Sequence, residues 1–186
     1  MKALIIVFAL LFTPLAHSAQ KAGVHLDDKI MIGNGHVLQL NGAGVREKFW
    51  FTIYVGSLYL VKKSSNITEI LSTSSAYRLQ IDVVYKEIAQ ENLLEAWRDG
   101  FEKNQDEDMM VRLKTRVEQF YSYFDANAVK GDRYLLDYIP GKGIKVTKNK
   151  KVRGIIPGVD FKNALLEIWL GNFPADNGLK KGLLGL

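Results

Sequence analysis

The chain has no cysteine, only four prolines and three histidines in 186 residues. Without cysteine there can be no disulfide, thiolate metal site, cysteine nucleophile, lipid-modified N-terminal cysteine or covalently attached c-type haem. With His17, His25 and His36 as the whole supply of imidazole, a histidine-based triad or zinc site has little to build on. The acidic cluster Glu102, Asp106, Glu107 and Asp108 reads as a capped, solvated helix junction and not as a metal site. HExxH, GxSxG, CxxC and Walker patterns do not occur. Gly42-Ala43-Gly44 is followed by β-forming residues, not by the helix a dinucleotide site requires.

The longest apolar run, Ala3 to Phe12, is well short of the ~20 residues that span a bilayer. It follows the basic Lys2 and precedes Pro14, Ala16, Ser18 and Ala19, which is the layout of a secretory leader. We therefore expect residues 1–19 to be a signal peptide, cleaved after Ser18 or Ala19, and residues 20–186 to form one periplasmic or secreted domain. The leader holds one base, Lys2, so 24 Lys and Arg remain against 20 Asp and Glu, a net charge of +4. Much of the excess lies in Lys142, Lys145, Lys148, Lys150, Lys151 and Arg153, along an expected hairpin, and reads as a solvated face. No aromatic interleaving marks it as a nucleic-acid surface. About 167 residues without disulfides can still build one proper core.

Period-two alternation marks strands at Val24–Leu26, Lys29–Ile32, Val37–Leu40, a long one from Phe49 to Val61, and Tyr77–Tyr85. Ile67–Leu71 reads as a short helix. From Glu87 the period becomes helical, with Ile88, Leu93, Ala96, Trp97, Gly100 and Phe101 on one stripe. A second stripe follows Asn104–Asp108, with Met109, Leu113, Val117, Phe120 and Phe124. Three more strands, Tyr134–Ile139, Ile144–Thr147 and Val152–Ile155, form a meander. A helix from Asp160 buries Phe161, Ala164, Leu165, Ile168 and Trp169, and Asp176 caps a short terminal helix. The order of elements predicts an α+β fold, a mainly antiparallel sheet covered by helices on one face.

Leu40 to Leu60, LNGAGVREKFWFTIYVGSLYL, is the most specific stretch. It reads as a tight Gly42-Ala43-Gly44 bend, then Arg46, then a run of β-formers in which Trp50, Thr52, Tyr54, Gly56 and Leu58 share a face. On one straight strand Arg46 and Tyr54 would stand roughly 26 Å apart. A shared site needs a turn between Val45 and Phe49, for which Glu47-Lys48 is the natural place.

This stretch resembles the chalcone isomerase-like family, as do IDVVYKEIAQENLLEAWRDGF and ALLEIWLGNFPADNGLKKGLLG, and within that family the bacterial exported branch. The resemblance implies an open-faced sandwich and places Arg46 in a ligand cleft. Tyr54 stands where the true isomerases carry threonine, Asn92 near their active-site tyrosine and Asp99 near their asparagine. The Arg46 and Tyr54 pair is instead similar to the non-catalytic fatty-acid-binding branch, where both groups hold a carboxylate. The expected ligand residues are therefore Arg46, Tyr54, Asn92 and Asp99, with no catalytic residue, no metal and no cofactor. The expected partner is a small amphipathic carboxylate such as a fatty acid, in a cleft lined by Trp50, Ile53, Val83, Leu93, Leu94 and Trp97. The alternatives are an isomerase or lyase, with Arg46 as oxyanion stabiliser and Tyr54 as proton donor, and a haem-binding protein using His25 or His36.

Overall fold

The computed structural model describes residues 18–33 and 35–186; the expected leader up to His17 and the turn residue Asn34 lie outside them. Strands β1 (Ser18–Lys21) and β2 (Val24–Asp27) form an opening hairpin, β3 (Lys29–Ile32) and β4 (His36–Lys48) follow, and β5 (Phe51–Leu60) returns antiparallel to β4. Helix α1 (Ile67–Ser72) leads to β6 (Tyr77–Val83) and the two-residue β7 (Glu87–Ile88). Helices α2 (Gln90–Asn104) and α3 (Glu107–Tyr121) come next. After them run β8 (Ala128–Val129), β9 (Arg133–Ile139), β10 (Gly143–Lys148), β11 (Lys151–Ile156), α4 (Val159–Leu170) and α5 (Asn177–Leu183). Seven strands pair in the order β11-β10-β9-β6-β5-β4-β3, every neighbour antiparallel. The sheet curls into a half-barrel with helices against it, the α+β architecture expected from the order of elements.

The main core lies between sheet and helices. Leu58, Leu79 and Leu136 from the strands meet Trp97, Phe101, Leu113, Phe120, Phe161, Leu165 and Trp169 from α2, α3 and α4. These are the stripes read from the sequence. Trp97 stands edge-on to Phe120 and Trp169, with ring centroids 5.0 and 5.5 Å apart, an arrangement that matches the aromatic quadrupole. Gly100 lets α2 touch α4, since a Cβ there would lie 2.6 Å from Ile168.

Three expectations need correcting. Glu87 and Ile88 pair with β8 in place of opening the helix, which starts at Gln90; Asn127 Oδ1 accepts the Gln90 N–H at 3.0 Å and so fixes where α2 begins. Gly42-Ala43-Gly44 is not a bend but the interior of the 13-residue β4. Those glycines provide bare backbone on which α5 lies: a Cβ on Gly42 would fall 2.1 Å from Gly182 O, and one on Gly44 2.8 Å from Leu179 Cα. Glycine in a strand commonly marks such a close approach. The third is the basic hairpin, which is partly paired: Lys145 faces Asp137 at 3.4 Å, Lys148 faces Asp132 at 3.0 Å, and Arg153 bonds Asp125.

Candidate ligand-binding site

Arg46 ends the regular part of β4. The chain reverses at Phe49-Trp50, with Lys48 opposite Phe51, so the required turn exists two residues later than Glu47-Lys48. The consequence is direct cross-strand pairing of Arg46 with Tyr54, which puts their Cβ atoms about 5 Å apart. The guanidinium carbon lies 5.9 Å from the Tyr54 ring centroid.

Register slips between Arg46 and Glu47 because Ile53 is an extra residue on β5. Its carbonyl accepts from both Val84 N and Tyr85 N, at 3.1 and 3.0 Å. Such a bulge breaks the alternation of side chains. Ile53 and Tyr54, consecutive in sequence, therefore line the same chamber.

That inner chamber, about 60 Å³, is bounded by Arg46, Ile53 and Tyr54, by Ile81, Val83 and Tyr134 of β6 and β9, by Ile88, Asn92, Leu93, Ala96 and Trp97, and by Ala128, Ile168, Trp169 and Ala175. Arg46, Ile53, Ile88, Asn92 and Ala96 also border a wider outer cleft of about 410 Å³, whose other walls are Lys48, Phe49, Phe51, Tyr85, Glu87, Glu95 and Asp99. The two adjoin at these shared residues.

The polar groups of the inner chamber are donors in excess. Trp169 Nε1 donates to Tyr54 Oη at 2.8 Å, leaving the phenolic proton to be given elsewhere. Arg46 Nε and Trp97 Nε1 are buried without a hydrogen-bond partner among the described residues; the Tyr134 hydroxyl is buried too, with the Lys148 ammonium as its polar neighbour. Lys148 stands over the Tyr134 ring, its ammonium 5.2 Å from the centroid. No carboxylate of the described residues comes within ion-pair distance of Arg46, and none lines this chamber. Buried donors without acceptors are costly, and these belong to residues that border one cavity. Burial raises the Tyr54 hydroxyl pKa above its ordinary 10.0, against the lowering influence of Arg46 and the Trp169 hydrogen bond, with Asp176 adding to the rise. Tyr54 is thus a neutral donor at physiological pH.

Of the expected ligand residues, Arg46 and Tyr54 come together in the chamber. Asn92 is an exposed residue at its junction with the outer cleft. Asp99 borders only the outer cleft and is ion-paired to Lys103 at 2.6 Å. Ile53, Val83, Leu93 and Trp97 line the chamber as expected; Trp50 and Leu94 do not. Trp50 is at the hairpin tip in solvent, and Leu94 packs against the main core. Tyr134 and Trp169 escaped the sequence reading as site residues. Trp169 gave one usable sign, a buried indole N–H that must find an acceptor. Among the described residues, His25 and His36 are both exposed and border neither chamber. Among the described residues no three metal-ligating side chains cluster and no helix is long and apolar enough to cross a membrane.

The fold is a curled antiparallel sheet backed by helices, with an arginine and a tyrosine at an apolar chamber. The family model for chalcone isomerase-like proteins matches residues 18–185, and the chain belongs to that family. Among solved structures it is similar to a fatty-acid binding protein of Arabidopsis thaliana, with a TM-score of 0.72 at 15% identity, over 90% of this chain and 96% of that one. No curated protein sequence matches it.

Proposed function

We propose that this is an exported, non-catalytic carrier of a small amphipathic carboxylate, most simply a fatty acid. The observation that carries the reading is the unpartnered Arg46 Nε beside a mostly apolar chamber that no carboxylate of the described residues lines. A carboxylate would accept from the Arg46 guanidinium and from Tyr54 Oη, with the Trp97 indole and the Tyr134 phenol as further donors. Charge-assisted bonds of this kind contribute about 1.5 to 3 kcal/mol each where water is excluded. At about 60 Å³ the inner chamber is far below the ~300 Å³ at which whole-ligand pockets begin. It suits a head group, with the tail running out through the 410 Å³ cleft past Ile53, Phe51 and Tyr85. Each methylene buried there adds roughly 0.8 kcal/mol.

The fatty-acid binding protein of the same fold supports the choice of ligand, and the leader-like residues 1–19 support export. The enzymatic alternative is weaker on chemical grounds. The only titratable side chains lining the inner chamber are Arg46, Tyr54 and Tyr134. Burial raises both tyrosine hydroxyls, away from the near-neutral pKa that suits an acid or base.

Titration calorimetry with decanoate tests the reading. Arg46→Met should weaken binding by about 2 to 3 kcal/mol. Unchanged affinity in that variant, or no heat of binding in the parent protein, would remove it. For export, N-terminal sequencing of periplasmic protein should begin at Ala19 or Gln20, and an intact Met1 in the cytoplasm would refute it.

A further inference from the structure

We infer that the β4–β5 hairpin tip is a lipid-surface anchor that sets the cleft mouth against a membrane; this rests on the carrier reading for its purpose but not for its evidence. Phe49, Trp50 and Phe51 are consecutive and 80%, 84% and 48% exposed. Other large exposed apolar residues, such as Val111 and Phe173, stand singly, or in the cross-strand pair of Met31 with Val37, as is ordinary on any protein surface. Three neighbouring aromatics on a projecting two-residue turn are not.

Backbone geometry adds an independent sign. Phe49 has φ of +58°, the left-handed region that a bulky residue rarely adopts, at a hairpin position where glycine is favoured. An outlier of this kind points to a side chain retained for use.

The occupant follows from size and charge. A fully buried aromatic contributes about 150 to 250 Å², so at their exposures these three offer roughly 320 to 530 Å². A specific protein interface needs about 800 Å² per partner, which argues against a second copy of this chain. Trp and Phe with an adjacent lysine are suited to the lipid headgroup boundary, where Lys48 can extend its ammonium to water. Lys48 is offset by Glu87, Glu95 and Asp99 on the facing wall of the cleft, so insertion is apolar and needs no anionic lipid. Phe49 and Phe51 also line the outer cleft beside Ile53 and Tyr85, so the tip adjoins the proposed tail path.

Flotation with phosphatidylcholine vesicles is the test. The parent protein should partition onto them equally in low and high salt. Trp50→Ser should lower the partition coefficient at least about tenfold while leaving calorimetric affinity for decanoate unaltered, since Trp50 lines neither chamber. Phe49→Gly should also lower partitioning yet unfold at an equal or higher temperature, because glycine relieves the positive φ. Arg46→Met should retain vesicle binding whether or not it binds decanoate, which separates failure of the carrier reading from failure of this one. Partitioning unchanged in Trp50→Ser, release by salt, or a concentration-dependent dimer abolished by the same substitution would overturn the anchor.

Discussion

Two arginines on neighbouring parts of one sheet have opposite surroundings. Arg78 on β6 is mostly buried and forms a two-pronged pair with Asp137 of β9, Nε to Oδ1 at 2.5 Å and Nη2 to Oδ2 at 2.9 Å, with Lys145 completing the cluster. Arg46 on β4 has an aromatic ring on one side, no ion pair, and a buried Nε without an acceptor. The first is a completed interaction: its partner is directly across the ladder, where Arg78 registers with Asp137. The second faces Tyr54 across its ladder, which gives a face for the cation but no charge to neutralise it. A buried cation with its counter-charge in the same sheet holds the fold together, whereas one lacking it is available to a ligand.

The largest expected effect breaks the completed pair. Arg78→Met should lower the unfolding free energy in a urea titration by about 3 kcal/mol, the lower end for a broken buried pair because Lys145 still faces Asp137. A loss under 1 kcal/mol would mean that the two arginines are energetically alike and that the contrast between them is empty.

The same replacement at Arg46 should behave differently. Arg46→Met is expected to shift stability by less than about 1 kcal/mol in either direction, because the unpaired guanidinium gives the fold little to lose. Unfolding of this variant under native conditions would place Arg46 among the structural cations with Arg78.

Tyr54→Phe separates the two functions of one hydroxyl. It should weaken decanoate binding by ~1 kcal/mol and also destabilise the protein by ~1 kcal/mol, since Trp169 Nε1 loses its acceptor. The sequence reading anticipates only the first. A calorimetric change without a stability change would show that the indole finds another partner.

The smallest effect expected is with pH. Burial raises the Tyr54 pKa, so the phenol stays neutral past its unfolded value of 10.0. Below that value folded and unfolded forms are both protonated and its linkage contribution is nil; above it the unfolded form ionises first, so stability falls as pH rises. Decanoate affinity should accordingly stay level from about pH 6 to 9, as arginine and carboxylate also keep their charges there. A drop near neutrality would implicate a titrating group that the chamber's described walls do not contain.

Much of the fold is legible along the chain because it depends on local repetition. The stripe through Trp97, Gly100 and Phe101, with Leu93 partly buried at its edge, and the one through Leu113, Val117 and Phe120 are turned to the core as their spacing requires. Asp106 and Asp176 cap α3 and α5, accepting from Met109 N and Leu179 N, both at 2.7 Å. The opening β1–β2 hairpin was only half legible, because β1 falls on the boundary of the expected leader. Arg46 stands out locally as a charge beside glycines ahead of an apolar strand, but its place in a ligand cleft and its pairing with Tyr54 were legible only through the resemblance to the chalcone isomerase-like family.

What the sequence determined alone is the succession of strands and helices, the absence of cysteine chemistry, and which polar residues had no obvious local use. Side-chain period, turn chemistry and caps act within a few residues, so they can be read without knowing the fold. Tertiary structure decided that Gly42 and Gly44 are a bed for α5, that a bulge turns Ile53 and Tyr54 into the same chamber, and that Trp97, Tyr134 and Trp169 join Arg46 there. Those outcomes depend on contacts between residues far apart in sequence, 115 positions for Trp169 and Tyr54 and more for Gly42 and Gly182. Period-two and helical patterns say which face a residue takes, but only the packing of the whole chain sets what it faces.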